Sequence, residues 1–259
     1  MRDLTVAECR DRLARSHGVY LRTLIVACEH DPRSSVREAA RHARRRLDRE
    51  VAESRRLARL NELEDSLRRD GVMLIAGFDE VGRGALAGPV TAAAVMLPAA
   101  TRIGGLTDSK RLSPSQRLRI ESVIRSTAIA TSVAHVPAHI IDALGVTAAI
   151  RYAMESALSS LDPPPHHVIT DGARVGLPAP ETPVVRGDGT VAAVAAASVV
   201  AKVARDALMV KLAEAYPHWS FEINKGYGTD RHLSAIRSFG LSPIHRRSFA
   251  PCAMDATPS

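Results

Sequence analysis

Between Val72 and Leu97 two apolar runs, VMLIAGF and PVTAAAVML, flank the segment DEVGRGALAG. Each run is short and reads as a buried strand, so two adjacent carboxylates, Asp79 and Glu80, fall at the end of a sheet strand. Acids in such a place are costly without partners. Side chains alternate along a strand, so for both acids to face one site the strand is expected to end or bulge at Asp79-Glu80. Gly82 and Gly84 would permit that.

The same pattern recurs downstream. AIATSVAHV reads as a strand, HHVITDG as a strand ending in Asp171, and PVVRGDG as a shorter one ending near Asp188. Ser113-Pro114-Ser115-Gln116 is a helix start, residues 145–161 read as a helix, and the run from Val191 to Tyr216 reads as a buried helix stopped by Pro217. Strands alternating with helices predict an α/β fold with a mixed sheet. Residues 1–70 read as helical instead. Thr5 to Glu8 and Ser35 to Glu38 have capping-box spacing, and apolar residues from Val36 to Leu67 predict one long helix ended by Gly71. The expected division is a helical extension over 1–70, a catalytic domain over 71–251 and a tail over 252–259.

Asp79, Asp171 and Asp188 each follow an apolar run and immediately or nearly precede a glycine, and strand ends of a sheet gather at one edge, where ligands bind. Two carboxylates at ~4 Å repel by about 4 kcal/mol at an effective dielectric near 20. Four together therefore call for cations, and hard oxygen ligands suit Mg²⁺ or Mn²⁺. Two such ions are the usual clamp for attack on a phosphodiester. Gly82, Gly84 and Gly88 are close to a dinucleotide fingerprint, but acids at the mouth of the turn and Pro89 after it argue against a pyrophosphate site. The formal charge of +7 permits a polyanionic partner. Cys9, Cys28 and Cys252 are too few and too scattered for a zinc site or a disulfide framework, so a cytoplasmic location is expected. Apolar runs of membrane-spanning length are missing from the pattern.

GFDEVGRGALAGPV, TDSKRLSPSQR, ITDG, VRGDGTVAAVAAASVVAKVARD, NKGYGTDRH and HRRSF together resemble the ribonuclease HII family over about Val72 to Pro251. The resemblance implies an RNase H-like mixed five-stranded sheet flanked by helices, with a helical C-terminal part. It also implies divalent-metal-dependent cleavage of the RNA strand in RNA/DNA hybrids and at single ribonucleotides in duplex DNA, leaving 3′-hydroxyl and 5′-phosphate ends. Asp79, Glu80, Asp171 and Asp188 fall on the family's metal-site positions. Gly82, Arg83 and Gly84 fall on the loop that reads the ribose 2′-hydroxyl, and Tyr227 on the tyrosine that packs against the next deoxyribose. Lys110 and Lys202 are expected to contact phosphate, whereas Asp108 and Asp206 are read as structural. His245 is left open between a nucleic-acid contact and a structural role. A monomer is expected, and the helical extension is a candidate for gripping substrate.

Overall fold

The computed structural model describes residues 4–254, and within them the chain divides into two compact units, Met1–Ala58 and Arg59–Ser259. In the first unit α1 (Val6–Arg15), α2 (Gly18–Glu29) and α3 (Ser34–Leu60) bury Cys9, Leu13, Leu21, Ile25, Cys28, Val36 and Ala40 together. The Thr5–Glu8 capping box closes the start of α1. α3 begins at Ser34, which puts Ser35 inside its first turn rather than at the cap. Arg46 satisfies the carbonyls at the end of α1, donating to Leu13, Ala14 and Ser16 at 2.7–2.8 Å.

The expected single helix from Ser35 to Leu67 is broken at Asn61. α4 (Glu62–Arg69) follows the break and falls in the second compact unit, Arg59–Ser259. Leu63 and Leu67 pack with Ile75, Ile169, Val191 and Val194, and Arg68 donates to the Leu97 carbonyl at 2.9 Å.

The second unit is built on five strands: β1 (Ile75–Val81), β2 (Val90–Met96), β3 (Ala130–Val136), β4 (His167–Asp171) and β5 (Glu181–Val184). Their order is β3-β2-β1-β4-β5. β1–β2 and β2–β3 are antiparallel, β1–β4 and β4–β5 parallel, so the sheet is mixed as expected. α5 (Pro114–Thr127) opens on the Ser113–Gln116 capping box. α7 (Val146–Ser159) is the helix expected over 145–161, and the shorter α6 (Ala138–Leu144) precedes it. α7 lays Ala149, Ile150, Ala153 and Met154 on one face of the sheet, against Ala76 and Phe78.

After β5 come α8 (Gly187–Thr190), a single turn, and α9 (Ala192–Ala215), followed by α10 (Phe221–Asn224), α11 (Asp230–Phe239) and α12 (Ala250–Met254). The tail expected over 252–259 starts inside α12, and residues 255–259 lie outside the described ones. α9 is alanine-rich, which favours the helix and lets it approach the opposite face of the sheet at backbone distance. A Cβ at Gly77 would lie 2.1 Å from the Ala193 carbonyl carbon, so only glycine fits in β1 at that crossing.

Candidate active site

β1 runs without a bulge through Asp79 and Glu80, which stand opposite Ala93 and Ala92 of β2. The expected break in the strand is therefore absent, and alternation holds. Ile75, Gly77 and Asp79 face α9, where Asp79 accepts from the Ser198 hydroxyl. Ala76 and Phe78 face α7, and Glu80 lines a cavity that α7 borders. The two acids lie on opposite faces at the carboxyl end of the central strand. Asp171 ends the neighbouring parallel strand, one residue past the last registered pair, Phe78 with Thr170. Asp188 is not at a strand end: β5 stops at Val184, and the turn α8 carries Asp188 back toward the site. The Gly187 amide, donating to Asp171 Oδ1 at 2.6 Å, anchors that turn.

The electrostatics show how close the acids are. Burial raises Asp79 well above its ordinary value, and the charges of Glu80 and Asp171 raise it further. Burial and then Asp171 raise Glu80; burial, Asp171 and Asp108 raise Asp188. The four are thus neighbours at one sheet edge. Yet no three described acid, histidine or cysteine side chains stand in a ligating arrangement. Each of three carboxylates has turned to a donor of its own chain: Asp171 to Gly187, Asp79 Oδ1 to the Glu80 amide at 2.7 Å, and Asp188 Oδ2 to Lys110 Nζ at 3.6 Å. In chemistry the set fits a divalent cation, being all hard oxygens, with an ammonium already drawn to one of them.

Beside the acids, the loop from Gly82 to Pro89 is held by two fully buried arginines. Arg205, on α9, donates from Nε to the Pro89 carbonyl at 2.9 Å, from Nη1 to Lys225 at 2.9 Å and from Nη2 to Ala87 at 3.2 Å. Arg246 donates twice to the Gly88 carbonyl, at 3.1 and 3.0 Å, and once to Arg83 at 3.0 Å. Gly82 has φ +89°, and a Cβ there would meet Arg205 Nε at 2.3 Å, so the fold itself demands glycine. Gly84 differs. A Cβ there would have nothing within 4 Å, so the space beside it is open.

The chain has known counterparts. The family model Ribonuclease HII matches residues 76–252, and the model Ribonuclease HII N-terminal domain matches residues 5–68. The chain belongs to the ribonuclease HII family. It is similar to the ribonuclease H2 from Pyrococcus horikoshii OT3, with 27% identity and a TM-score of 0.62 over 71% of this chain and 97% of that one. The RNase HII of Archaeoglobus fulgidus, solved as a PCNA complex, matches at 24% identity and a TM-score of 0.59, over 69% and 96% of the two chains. Bst-RNase HIII in complex with Mn²⁺ shares the fold at 18% identity and a TM-score of 0.52, over 71% and 69%. The protein is accordingly a ribonuclease H endonuclease, of a family whose activity depends on divalent metal.

Other residues of this ribonuclease HII chain stand partly apart from expectation. The Lys110 ammonium, expected at phosphate, lies against Asp188, and Lys202 Nζ is bound to Asp206 at 2.7 Å. Asp108 caps the turn Ser109–Arg111 through the Lys110 amide at 2.9 Å. The half-buried Tyr227 ring lies near two cations, its centroid 5.4 Å from the Arg205 guanidinium and 6.0 Å from Lys202 Nζ. His245 is buried and faces no solvent. Its Nδ1 accepts the Ser242 amide at 2.8 Å, which leaves the proton on Nε2 for His232 at 3.0 Å; His232 Nδ1 then donates to the Tyr227 carbonyl at 2.9 Å. Burial first, and then His232, push His245 down to about 4, so it stays neutral.

Sequence reasoning missed Ser198, Glu181 and the two structural arginines. Ser198 was visible as the one hydroxyl within the apolar stretch AAVAAASVVA, where a polar side chain needs a partner; it meets Ser109 as well, at 2.9 Å. Glu181 lies in a weakly patterned strand and gave no such signal.

Proposed function

We propose that this enzyme cuts the RNA strand of RNA/DNA hybrids, and duplex DNA at single embedded ribonucleotides, on the 5′ side of the ribonucleotide. The products are 3′-hydroxyl and 5′-phosphate ends. The reading rests on one juxtaposition: four carboxylates beside the Gly82-Arg83-Gly84 loop, with open space at Gly84. Asp79, Glu80, Asp171 and Asp188 would hold two divalent ions, Mg²⁺ or Mn²⁺. Those ions, when bound, would lower the proton affinity of the attacking water and balance charge on the leaving 3′ oxygen.

The chain's own residues supply selection and aim. Backbone without a side chain at Gly84 lets a ribose come close enough for its 2′-hydroxyl to be read, and that hydroxyl is what separates RNA from DNA. A site built around a hydroxyl rejects the analogue lacking it by ~10⁴-fold. Arg83, exposed and held by its carbonyl to Arg246, takes the adjacent phosphate. The Tyr227 ring packs against the following deoxyribose, with Lys202 and Lys110 reaching phosphate. The arginines of the first unit grip the duplex. Ribonucleotide removal from DNA and RNA primer removal in the cytoplasm, by a monomer, are the roles this activity fits.

The test is cleavage mapping on a DNA duplex carrying one ribonucleotide, with Mg²⁺ and with Mn²⁺. A single cut 5′ of the ribonucleotide is expected, with an all-DNA duplex left whole. Equal cutting of the all-DNA duplex would overturn the reading.

A further inference from the structure

The carboxylate edge continues into a cavity of about 670 Å³, on the α7 side of the sheet. Glu80 and Asp171 contribute to its lining, as do Arg83, Arg151 and Arg174. A ligand held in it would therefore meet both carboxylates that call for cations and guanidiniums that supply positive charge.

The basic wall is built from two separate elements. Arg151 stands on α7, bound through Nε to Glu155 at 2.8 Å, and its Nη1 lies 3.9 Å from where a Cβ on Gly176 would sit. Arg174 stands on the loop after β4 and donates to the Glu181 carbonyl at 3.0 Å. Arg151 thus reaches the loop 172–177, on which Arg174 stands. That loop is fixed from beneath by the buried Glu181 carboxylate, which accepts from Thr170 Oγ1 at 3.0 Å and from the amides of Val175, Gly176 and Leu177 at 2.7, 2.9 and 3.2 Å. Burial alone would raise Glu181, but these donors outweigh it and hold the group below its usual value. A buried carboxylate with four donors is a rigid brace, so Arg174 sits on a fixed platform rather than a loose loop.

The geometry points to a second phosphate subsite: Arg151 and Arg174 hold a phosphodiester of the cleaved strand that flanks the scissile linkage. This rests on the reading of the site as an RNA-cutting one and adds which residues carry the strand past the cut. The occupant is the cleaved strand because the cavity is continuous with Glu80 and Asp171. The volume is on the scale of a ligand site rather than of a crevice between side chains. Guanidinium forks match phosphate oxygens in pairs, and partial pairing with Glu155 leaves donors over.

The experiment measures binding of a fluorescently labelled RNA/DNA hybrid in EDTA, and its cleavage with Mg²⁺, for wild type, Arg151→Ala and Arg151→Ala/Arg174→Ala. The double variant is expected to bind roughly tenfold more weakly. Its log K against log salt slope should fall by about 1 to 2. The loss should disappear with a hybrid whose RNA strand stops at the nucleotides of the cut on one side. Arg151→Ala, an exposed helix position, should show about half the effect even if the double variant folds poorly. Wild-type affinity and slope in Arg151→Ala and the double variant, with wild type cutting normally, would overturn the subsite alone. A loss that persists on hybrids trimmed on either side would place these arginines on the other strand and overturn it too. If wild type fails to cut any ribonucleotide-containing duplex, the functional reading itself falls.

Discussion

The two units use arginine in opposite ways. Residues 1–58 carry 14 arginines against nine acidic residues, which is five of the seven net positive charges in little more than a fifth of the chain. Some serve the bundle: Arg46 ends α1, and Arg33 and Arg44 bind Asp31 and Glu29. Arg41, Arg45 and Arg49 do not. They are exposed along one side of α3, a turn apart, and enter none of the ion pairs formed among the described residues. The second unit is nearly neutral, yet it buries Arg205 and Arg246 completely, each on backbone carbonyls. Charge in one unit faces solvent and long range; in the other it fastens a loop. Net charge reveals the first use and hides the second.

The sharpest separation of cutting from gripping comes from Asp79→Asn. It keeps the shape of the site while removing one negative ligand, so cleavage should fall on the order of 10³-fold or more. Hybrid binding in EDTA should stay within a few-fold of wild type. If affinity collapses along with rate, the carboxylate edge is also the main grip and the contrast between units is lost.

Arg246→Met tests the buried half of the comparison. It leaves the Gly88 and Arg83 carbonyls without their donor, so urea unfolding should show a loss of about 3 kcal/mol. Burial, and then the neighbouring Arg205 charge, already hold Arg246 down to about 10, a sign that the fold bears a cost to keep it. Arg246→Lys should not restore stability, because one ammonium cannot span both carbonyls as the fork does. Full rescue by lysine would mean that charge alone, not geometry, was required.

Much of this arrangement was legible in the sequence, and the failures have physical causes. The apolar runs around DEVGRGALAG, the Thr5 and Ser113 capping boxes and the long helix before Pro217 are local signals, and they hold in the fold. Where Asp79 and Glu80 point is not local. The assumption that both needed one face led to a bulge, whereas the strand end lets a single site take acids from two faces. Asp188 was misplaced because GDG looks like turn chemistry whether or not it forms a helical turn. The break at Asn61 leaves helical periodicity nearly intact, so α4 could not be told from α3. Arg205 and Arg246 find their partners 118 and 158 residues away, beyond the reach of any spacing rule.

A smaller effect probes what happens when the second unit buries charge less completely. Glu64 on α4 is buried and accepts the Ala193 amide at 3.3 Å, near the start of α9, but its other oxygen lacks a hydrogen bond. Burial raises it to about 7, against the helping amide and Arg68. Because the folded value lies above the ordinary 4.5, this group favours folding fully below pH 4.5 and loses that contribution as pH rises through about 7. Glu64→Gln should therefore raise stability at pH 8 by roughly 2 kcal/mol and leave it little changed at pH 4. Thermal melts at the two pH values decide it. A glutamine variant that is less stable at pH 8 would show that the ionised carboxylate is well paired after all.

The exposed arginines should give the mildest result, and they define what the first unit contributes. Arg41 to Arg49 spans about 12 Å of helix axis. Duplex DNA carries one charge per about 1.7 Å, so such a stripe meets several phosphates without reading any base. Arg41→Ala/Arg45→Ala/Arg49→Ala should weaken hybrid binding by roughly tenfold at low salt and lower the salt slope by about 2 to 3, with no change in the cut position. The fold has little stake in them, so the melting temperature should hold. Because screening removes exposed contacts first, the variant and wild type should converge as salt rises. A deficit that stays constant with salt would mean the stripe acts through packing, and the two units would then differ in degree rather than in kind.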